Sequence, residues 1–475
     1  MSSSSPLRLF FATTCLLVAT QSTAQDIHVT DPAPPGQVVH DTEGVAVQES
    51  LRLHEKMSRA LTASDPGAIL RLEGFPVAPG ERQPILLDRF QVYAPSARIV
   101  VMESRREAYE IPLSRHLHFL GETVDGSTRV GLSVDPDSGA VSGLTIGPAG
   151  TMEILSANAA EPLAIEVRDA ALSNRFLETT CNSEDLPVPA EAMERASKGH
   201  VHVHEKGAAP TYQVTIAVDT DNEFHHLRFG NNTTAATNYL SNLFLAMNVY
   251  YHRDVDLNLL LGETIFRLDT DPVPTYDDDP YTVTSSPANQ SGLQEFGSYW
   301  SANHGAVDRT FAILLSGKSS SDFSTSGIAW VDGYCETQST GGGYSYAQTF
   351  KFTSSVVSSG ARLIAHEIGH NLGSPHTHCY SPPIDQCYNQ EGGCFAGAVS
   401  CPVPEGNGTI MSYCHFSSGA DCGSSRDEFH PTVANLFDGF LTAHFPGCVE
   451  AVSTDTIFED GFESGNTSAW SSTSP

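Results

Sequence analysis

Positive charge is scarce in this chain. Only 25 lysines and arginines face 56 aspartates and glutamates, a formal net charge of −31 over 475 residues. Nucleic acids and anionic membrane surfaces are met by basic patches, so neither is an expected partner. Charge of either sign is sparse as well, at 17% of residues, against roughly 25% in ordinary globular chains. The surface therefore leans on Ser, Thr, Asn, Gly and Gln, a composition common among exported proteins. Long apolar runs are missing too. Leu9–Thr20 is the nearest approach, and it falls short of the about 20 residues that span a bilayer. With Arg8 before it and the small residues Ser22-Thr23-Ala24 after it, it has the layout of a secretory signal peptide cut after Ala24. The plainer alternative is a buried N-terminal helix. No later stretch qualifies as a span, so the mature protein is expected to be soluble and secreted. What remains suffices for packed cores: 40% of residues are hydrophobic and 9% aromatic, which excludes wholesale disorder. The length suggests two to three domains.

The cysteines agree with export. Cys15 would leave with the signal, and eight of the other nine crowd between Cys335 and Cys448. An even, dense set in an exported chain reads as disulfides. Cys181 stands alone far upstream.

Residues 25–50 are polar and rich in Pro and Gly. Between 67 and 168 short alternating runs follow, among them Gln91-Val92-Tyr93, Ala97–Met102 and Thr128–Val134, separated by turn signals such as Asp125-Gly126. This spacing predicts an antiparallel β-rich unit. Residues 182–210 lose the pattern and read as an exposed linker; His200, His202 and His204 alternate within it, at a spacing that a metal or a solvated linker explains. From Thr211 onward the pattern changes. Tyr212–Val218, Leu257–Phe266, Arg309–Leu315 and Gly327–Val331 read as strands, Thr234–His252 and Val356–Leu372 as helices. Alternating strands and helices predict an α/β domain.

The chemistry concentrates in His366-Glu367-Ile368-Gly369-His370-Asn371-Leu372-Gly373-Ser374-Pro375-His376. Residues four apart on a helix share a face, so His366 and His370 can meet one ion while Glu367 reaches a water on it. Gly373 can end the helix in a left-handed turn and Pro375 cannot continue it, which lets His376 return as a third ligand. Three neutral histidines with a fourth position open is the catalytic zinc arrangement. Zinc lowers the pKa of its water towards about 7 and polarises a carbonyl, and Glu367 is placed to move the water's proton to a leaving amine.

This extended motif resembles that of the metzincin zinc endopeptidases. Gly408-Thr409-Ile410-Met411-Ser412-Tyr413-Cys414 resembles their Met-turn, with Met411 beneath the metal. Tyr212–Val218, the segment Gly327–Cys335 and the downstream cysteines are most similar to the adamalysin/reprolysin group, particularly its secreted bacterial members. The resemblance covers roughly 211–450. It implies a mixed twisted sheet with an active-site helix, a small disulfide-rich lower subdomain, and an extended polypeptide substrate pairing with the edge strand at Gly327, Ile328, Ala329 and Trp330. It also implies a Cys335–Cys448 bridge, while the other six cysteines allow 15 pairings.

Departures from the pattern matter. Thr377, then His378, stand where adamalysins carry Asp after the third His. Gln213 and Ala451 occupy the places of the group's calcium ligands, which leaves calcium doubtful. Tyr413 follows Met411 by two; astacins and serralysins place there a tyrosine that ligates zinc or steadies the oxyanion, and a packed tyrosine of the turn is the alternative.

The resulting expectation is an α/β metzincin catalytic domain at 208–450, after a signal peptide at 1–24 and a β-rich propeptide with linker at 25–207. The acidic tail at 451–475 resembles a short C-terminal motif of secreted Gram-negative proteins, with a sorting or outer-surface signal, the first strand of a lost β-domain and a plain acidic tail as the open readings. The propeptide would inhibit its own protease, with Cys181 as a thiolate plug on zinc or else as an inert buried thiol, and a monomer is expected. The rivals are a zinc-stabilised adhesin, for which Glu367 has no use, and a zinc hydrolase of cell-wall peptides.

Overall fold

The alternating runs between Leu70 and Asp169 pair mainly antiparallel into a ten-stranded sheet. A computed structural model describes residues 27–28, 37–40, 44, 46–103, 108–158, 160–171, 178–183, 186–198, 211–271, 275–276, 278–283, 287–318, 324–349, 358–404, 406–416, 418–423 and 426–452. The expected signal peptide with Cys15, the alternation His200–His204 and the acidic tail from Ser453 lie outside the described residues. Helix α1 (Glu55–Thr62) starts at His54, whose ring accepts the Lys56 N–H. Its Met57 and Leu61, one turn apart, drop among Phe75, Phe119 and Val130 in the core of this sheet.

The run Ile99–Met102 does not stay in the antiparallel unit. As the strand Ile99–Glu103 it pairs parallel to Leu257–Leu268 in a second sheet, and Tyr109–Ile111 pairs beside it. Ile99 and Val101 are buried in the core of that second sheet. Parallel partners are distant in sequence and leave no hairpin signal, which is why the run reads as a local antiparallel strand. The second sheet runs in the order Glu178–Cys181, Ser324–Ala329, Tyr344–Gln348, Phe311–Ser316, Tyr212–Thr220, Leu257–Leu268, Ile99–Glu103, Tyr109–Ile111. Its central strands are parallel and buried along their length, Phe311–Ser316 completely so, as sheets covered on both faces are.

The expected linker is also more structured than its composition suggests. Residues Ala190–Lys198 form α2, whose Ala192 and Ala196 are buried. Arg195 stacks its guanidinium 4.2 Å from the ring centre of Phe440. Small residues and one cation made this amphipathic face look solvated, whereas it packs on a helix near the C-terminus. Helix α3 (Thr233–Asp254) begins at Asn232, whose side chain accepts the Ala235 N–H. It lies between the two sheets and is buried around most of its surface. Helix α4 (Gln290–Asn303) is tied to the central strand through Asp219, which accepts from Trp300 Nε1 at 2.7 Å, the Tyr281 hydroxyl at 2.6 Å and Arg267 at 2.8 Å. Helix α5 (Ser358–Asn371) carries the histidine motif, and α6 (Pro431–His444) backs it. No described helix is long and apolar enough to cross a membrane. The disulfides are Cys335–Cys448, Cys379–Cys394, Cys387–Cys414 and Cys401–Cys422.

His118 sits where the first sheet meets α3, 3% exposed and facing Asn242. Burial, then the neighbouring His116, pushes its pKa from 6.5 down to about 3. Below pH 6.5 the unfolded chain binds a proton that folded His118 refuses, so stability falls as pH drops from 6.5 towards 3. Denaturant unfolding should lose about 3 kcal/mol to this group between pH 7 and 4. A His118→Gln variant should lose less over the same window; parallel losses in the two proteins would refute the assignment.

Candidate metal centre and active site

Helix α5 presents His366 and His370 one turn apart. Its end is fixed from outside: the backbone N–H groups of Asp332 and Gly333 bond to the carbonyls of His370 and Asn371 at 3.0 and 3.1 Å. The Asn371 carbonyl is one of the acceptors that a helix terminus leaves without an intrahelical partner, while that of His370 also takes the Gly373 N–H at 2.8 Å. The Asn371 amide donates to the carbonyls of Trp330 and Tyr344 at 2.9 and 3.1 Å, so the same end is bolted to the edge strand. Gly373 then turns the chain at φ +99°, and His376 comes back towards the helix.

Each of the three imidazoles has its Nδ1 committed. His366 donates to the Ile410 carbonyl at 2.7 Å, His370 to the Ser374 carbonyl at 2.8 Å, and His376 to Glu391 Oε2 at 2.8 Å. A carbonyl oxygen only accepts, so the proton sits on Nδ1 and the Nε2 lone pair is free. The Nε2 atoms of His366 and His370 face each other at 3.2 Å, and His376 Nε2 is buried with no hydrogen-bond partner. One donor atom from each of these histidines and from Cys181 lies within 4.8 Å of all the others. Burial keeps His366 and His370 neutral: it pushes His366 far below its ordinary pKa and His370 to about 3. Converging imidazoles with their Nδ1 atoms engaged are a donor set that fits zinc.

Glu367 is fully buried beside them. Oε2 lies 3.6 Å from Cys181 Sγ and Oε1 has no partner. Burial pushes its carboxyl well above the ordinary value. Gly327 on the edge strand is what admits it, since a Cβ there would collide with the carboxylate. Met411 is likewise buried under the helix. A Cβ at Gly369 would run into its sulfur, and its carbonyl takes the Thr377 N–H at 3.0 Å and hydroxyl at 3.2 Å.

Tyr413 is 1% exposed, its ring 4.1 Å centre to centre from His376. Its hydroxyl donates to the Cys181 carbonyl at 2.6 Å. The edge strand Ser324–Ala329 pairs antiparallel with Tyr344–Gln348 on one side and parallel with Glu178–Cys181 on the other, with Cys181 opposite Gly327. Asn182 N–H bonds to the Gly327 carbonyl at 3.0 Å, and the Ser183 hydroxyl accepts the Ala329 N–H at 3.0 Å. Gly327, Ile328 and Ala329 therefore already have a strand neighbour, and Trp330 is buried just beyond them. Cys181, the free cysteine among the described residues, has its sulfur 3.5 Å from His370 Nε2. Burial, then the Glu367 carboxylate, pushes its thiol well above its ordinary pKa. A small cavity beside His366 is lined by Arg362, Leu363, Ile410, Tyr413, His415 and Cys181. Cys335–Cys448 ties the chain after the edge strand to the C-terminal segment. Gln213, at the doubtful calcium position, donates to Glu450 at 2.8 Å.

Sequence reasoning missed Glu391 and His378. Glu391 Oε2 also accepts from His378 Nε2 at 2.7 Å. The available signal was thin: Glu391 is one of two acids between Cys379 and Cys394.

Residues 210–423 match the reprolysin-type model of metallopeptidase family M12. The match supports a metzincin-like metallopeptidase and hence a hydrolase. No curated protein matches the chain significantly.

Gly373→Ala tests the turn that returns His376. Its Cβ would stand 2.6 Å from the Phe440 ring, at a positive φ. Overpacking and backbone strain together should destabilise the protein by about 2–4 kcal/mol, seen as a lowered melting midpoint. An unchanged midpoint would show that the turn relaxes freely.

Proposed function

We propose that the chain is a secreted, zinc-dependent metalloendopeptidase made as a zymogen. The observation that carries this is the convergence of three buried imidazoles, each with its Nδ1 engaged, beside a buried carboxylate. The family match over 210–423 supports the same reading. His366, His370 and His376 hold the metal. Bound zinc supplies a Lewis acid for the scissile carbonyl and lowers the pKa of a water towards about 7.

The protein's own groups do the rest. Glu367 takes the proton of the attacking water on its carboxylate and delivers it to the leaving amine nitrogen. Tyr413 turns its hydroxyl from the Cys181 carbonyl to the oxygen of the scissile carbonyl, where negative charge grows. Main-chain groups of Gly327–Ala329 bind an extended polypeptide by strand addition. Departure of Cys181 would widen the small cavity beside Arg362 and His415, which it helps to wall. Export under the 1–24 signal and a tail with a sorting role complete the proposal.

Latency follows from the segment Glu178–Ser183. It takes the strand edge that substrate needs, engages Tyr413, and aims Cys181 at the imidazoles. With a metal held by the three histidines, Cys181 would be the residue placed to bind it as a thiolate in competition with water. Residues 25–207 thus act as the propeptide, processed between about Arg195 and Pro210.

In purified protein matured by limited proteolysis, Glu367→Ala should keep one zinc per chain and lose at least about 10²-fold in casein cleavage. A folded, zinc-loaded wild type that cleaves no protein or peptide would sink the endopeptidase reading and favour the adhesin. In the unprocessed chain, zinc X-ray absorption should show one sulfur neighbour at about 2.3 Å, absent in Cys181→Ser. Identical spectra for the two would remove Cys181 from the metal.

A further inference from the structure

His376 is held differently from the other two histidines of the set. His366 and His370 ride on one helix and give their Nδ1 protons to backbone carbonyls. His376 lies beyond the helix, and its Nδ1 partner is a side chain, Glu391. Two polar residues of the same stretch of chain are engaged elsewhere. Thr377, next in sequence, has both its N–H and its hydroxyl engaged by the Met411 carbonyl. Asp385 accepts the Cys387 N–H at 3.1 Å. Orientation and basicity of the third imidazole therefore depend on one carboxylate contributed from elsewhere in the chain.

That carboxylate is itself clamped. Glu391 is 8% exposed, and the same oxygen that meets His376 takes His378 Nε2–H at 2.7 Å. The two rings lie parallel within 7°, centres 5.5 Å apart. His378 immediately precedes Cys379, and Glu391 stands three residues before Cys394; the Cys379–Cys394 disulfide closes this loop. The Phe395 N–H returns to the His378 carbonyl at 3.1 Å, and the Cys394 N–H to that of Glu391 at 3.4 Å. Cys387–Cys414 also anchors this loop, four residues before Glu391, but Cys379–Cys394 is the bridge that closes the Glu391 turn directly onto the chain after His378.

We propose that Glu391 is the positioning residue for the third metal ligand and that the Cys379–Cys394 disulfide holds it in place, so that metal affinity at this centre depends on that bridge. The inference rests on the zinc reading above. It gives the disulfide a role in the site beyond restraint of the unfolded chain. A carboxylate on the far nitrogen of a ligating imidazole fixes its orientation and makes it a better donor, and its loss typically costs 10–100-fold in metal affinity.

The test is zinc affinity of the full-length chain by competition with a chromophoric chelator, with the visible spectrum of the cobalt form as a second readout. Glu391→Ala should weaken zinc binding about 10–100-fold. Glu391→Gln preserves the shape but offers one neutral acceptor in place of the shared carboxylate; it should fall between and shift the cobalt bands. Cys379→Ser with Cys394→Ser should weaken zinc comparably. Adding Glu391→Ala to that pair should cost little more, because both act through one contact. Affinities within twofold of wild type for both Glu391 variants would overturn the role of Glu391. Fully additive losses would overturn the coupling to the disulfide. The Gln variant decides the first point where the Ala variant folds poorly. A wild type that binds no zinc would fail the metallopeptidase reading itself, an outcome distinct from variants that bind as well as wild type.

Discussion

Three Nδ1 protons must each find an oxygen, and the rest of the site is arranged around that requirement. An imidazole offers one lone pair to a metal only when its other nitrogen carries the proton and the ring is held at one angle. The oxygens come from three separate places: the Met-turn at Ile410, the turn after the helix at Ser374, and the disulfide loop at Glu391. The fold therefore brings a helix, a glycine turn, a buried methionine and a cross-linked loop to one point. Gly369 lets Met411 approach the helix and Gly327 lets the strand approach Glu367. Small residues at these positions follow from crowding around the imidazoles.

The two sheets are less independent than a propeptide and a protease would suggest. The upstream half lends Ile99–Glu103 and Tyr109–Ile111 to the edge of the second sheet at Leu257–Leu268, and Glu178–Cys181 to its opposite edge. Between them α3 is buried against both sheets. Departure of the upstream half would uncover strand edge on both sides of the second sheet, and exposed edges invite other strands. At the Ser326–Ala329 edge that invitation is the substrate site of the proposed enzyme. At the Thr264–Leu268 edge it is a liability, which argues for an upstream half that remains associated until the metal centre is formed.

Much of the centre was legible in the chain. The spacing of His366, His370 and His376, the breaker at Gly373 and the turn around Met411 are local, and local periodicity carries such features. The strands at Tyr212–Thr220 and Leu257–Leu268 and the helix α3 were readable for the same reason. What escaped was long-range. Ile99–Glu103 is an ordinary alternating run whose partner lies far downstream. Glu391 looks like any loop acid until the disulfide closes beneath it. Helix α2 buries alanines and one cation–ring contact, an amphipathic face too weak to separate from a linker by composition. The strands at Tyr344–Gln348 and the helices α4 and α6 gave no motif and show themselves only as packed layers.

On the latency reading, a cut in the expected processing region does not by itself open the site. The blocking contacts all lie upstream of it: the strand Glu178–Cys181, the Ser183 hydroxyl on Ala329, and the Tyr413 bond to Cys181. Helix α2, also upstream of most of that region, remains seated through Ala192, Ala196 and Arg195 on Phe440. After the chain is severed these contacts persist but become bimolecular, so they are lost by dissociation and mass action instead of by hydrolysis. An extended substrate then competes with Glu178–Ser183 for the same edge groups of Gly327 and Ala329. Activation is thus a displacement that the cut permits, and its rate is set by how firmly the upstream half is held at its two sheet edges and on α3.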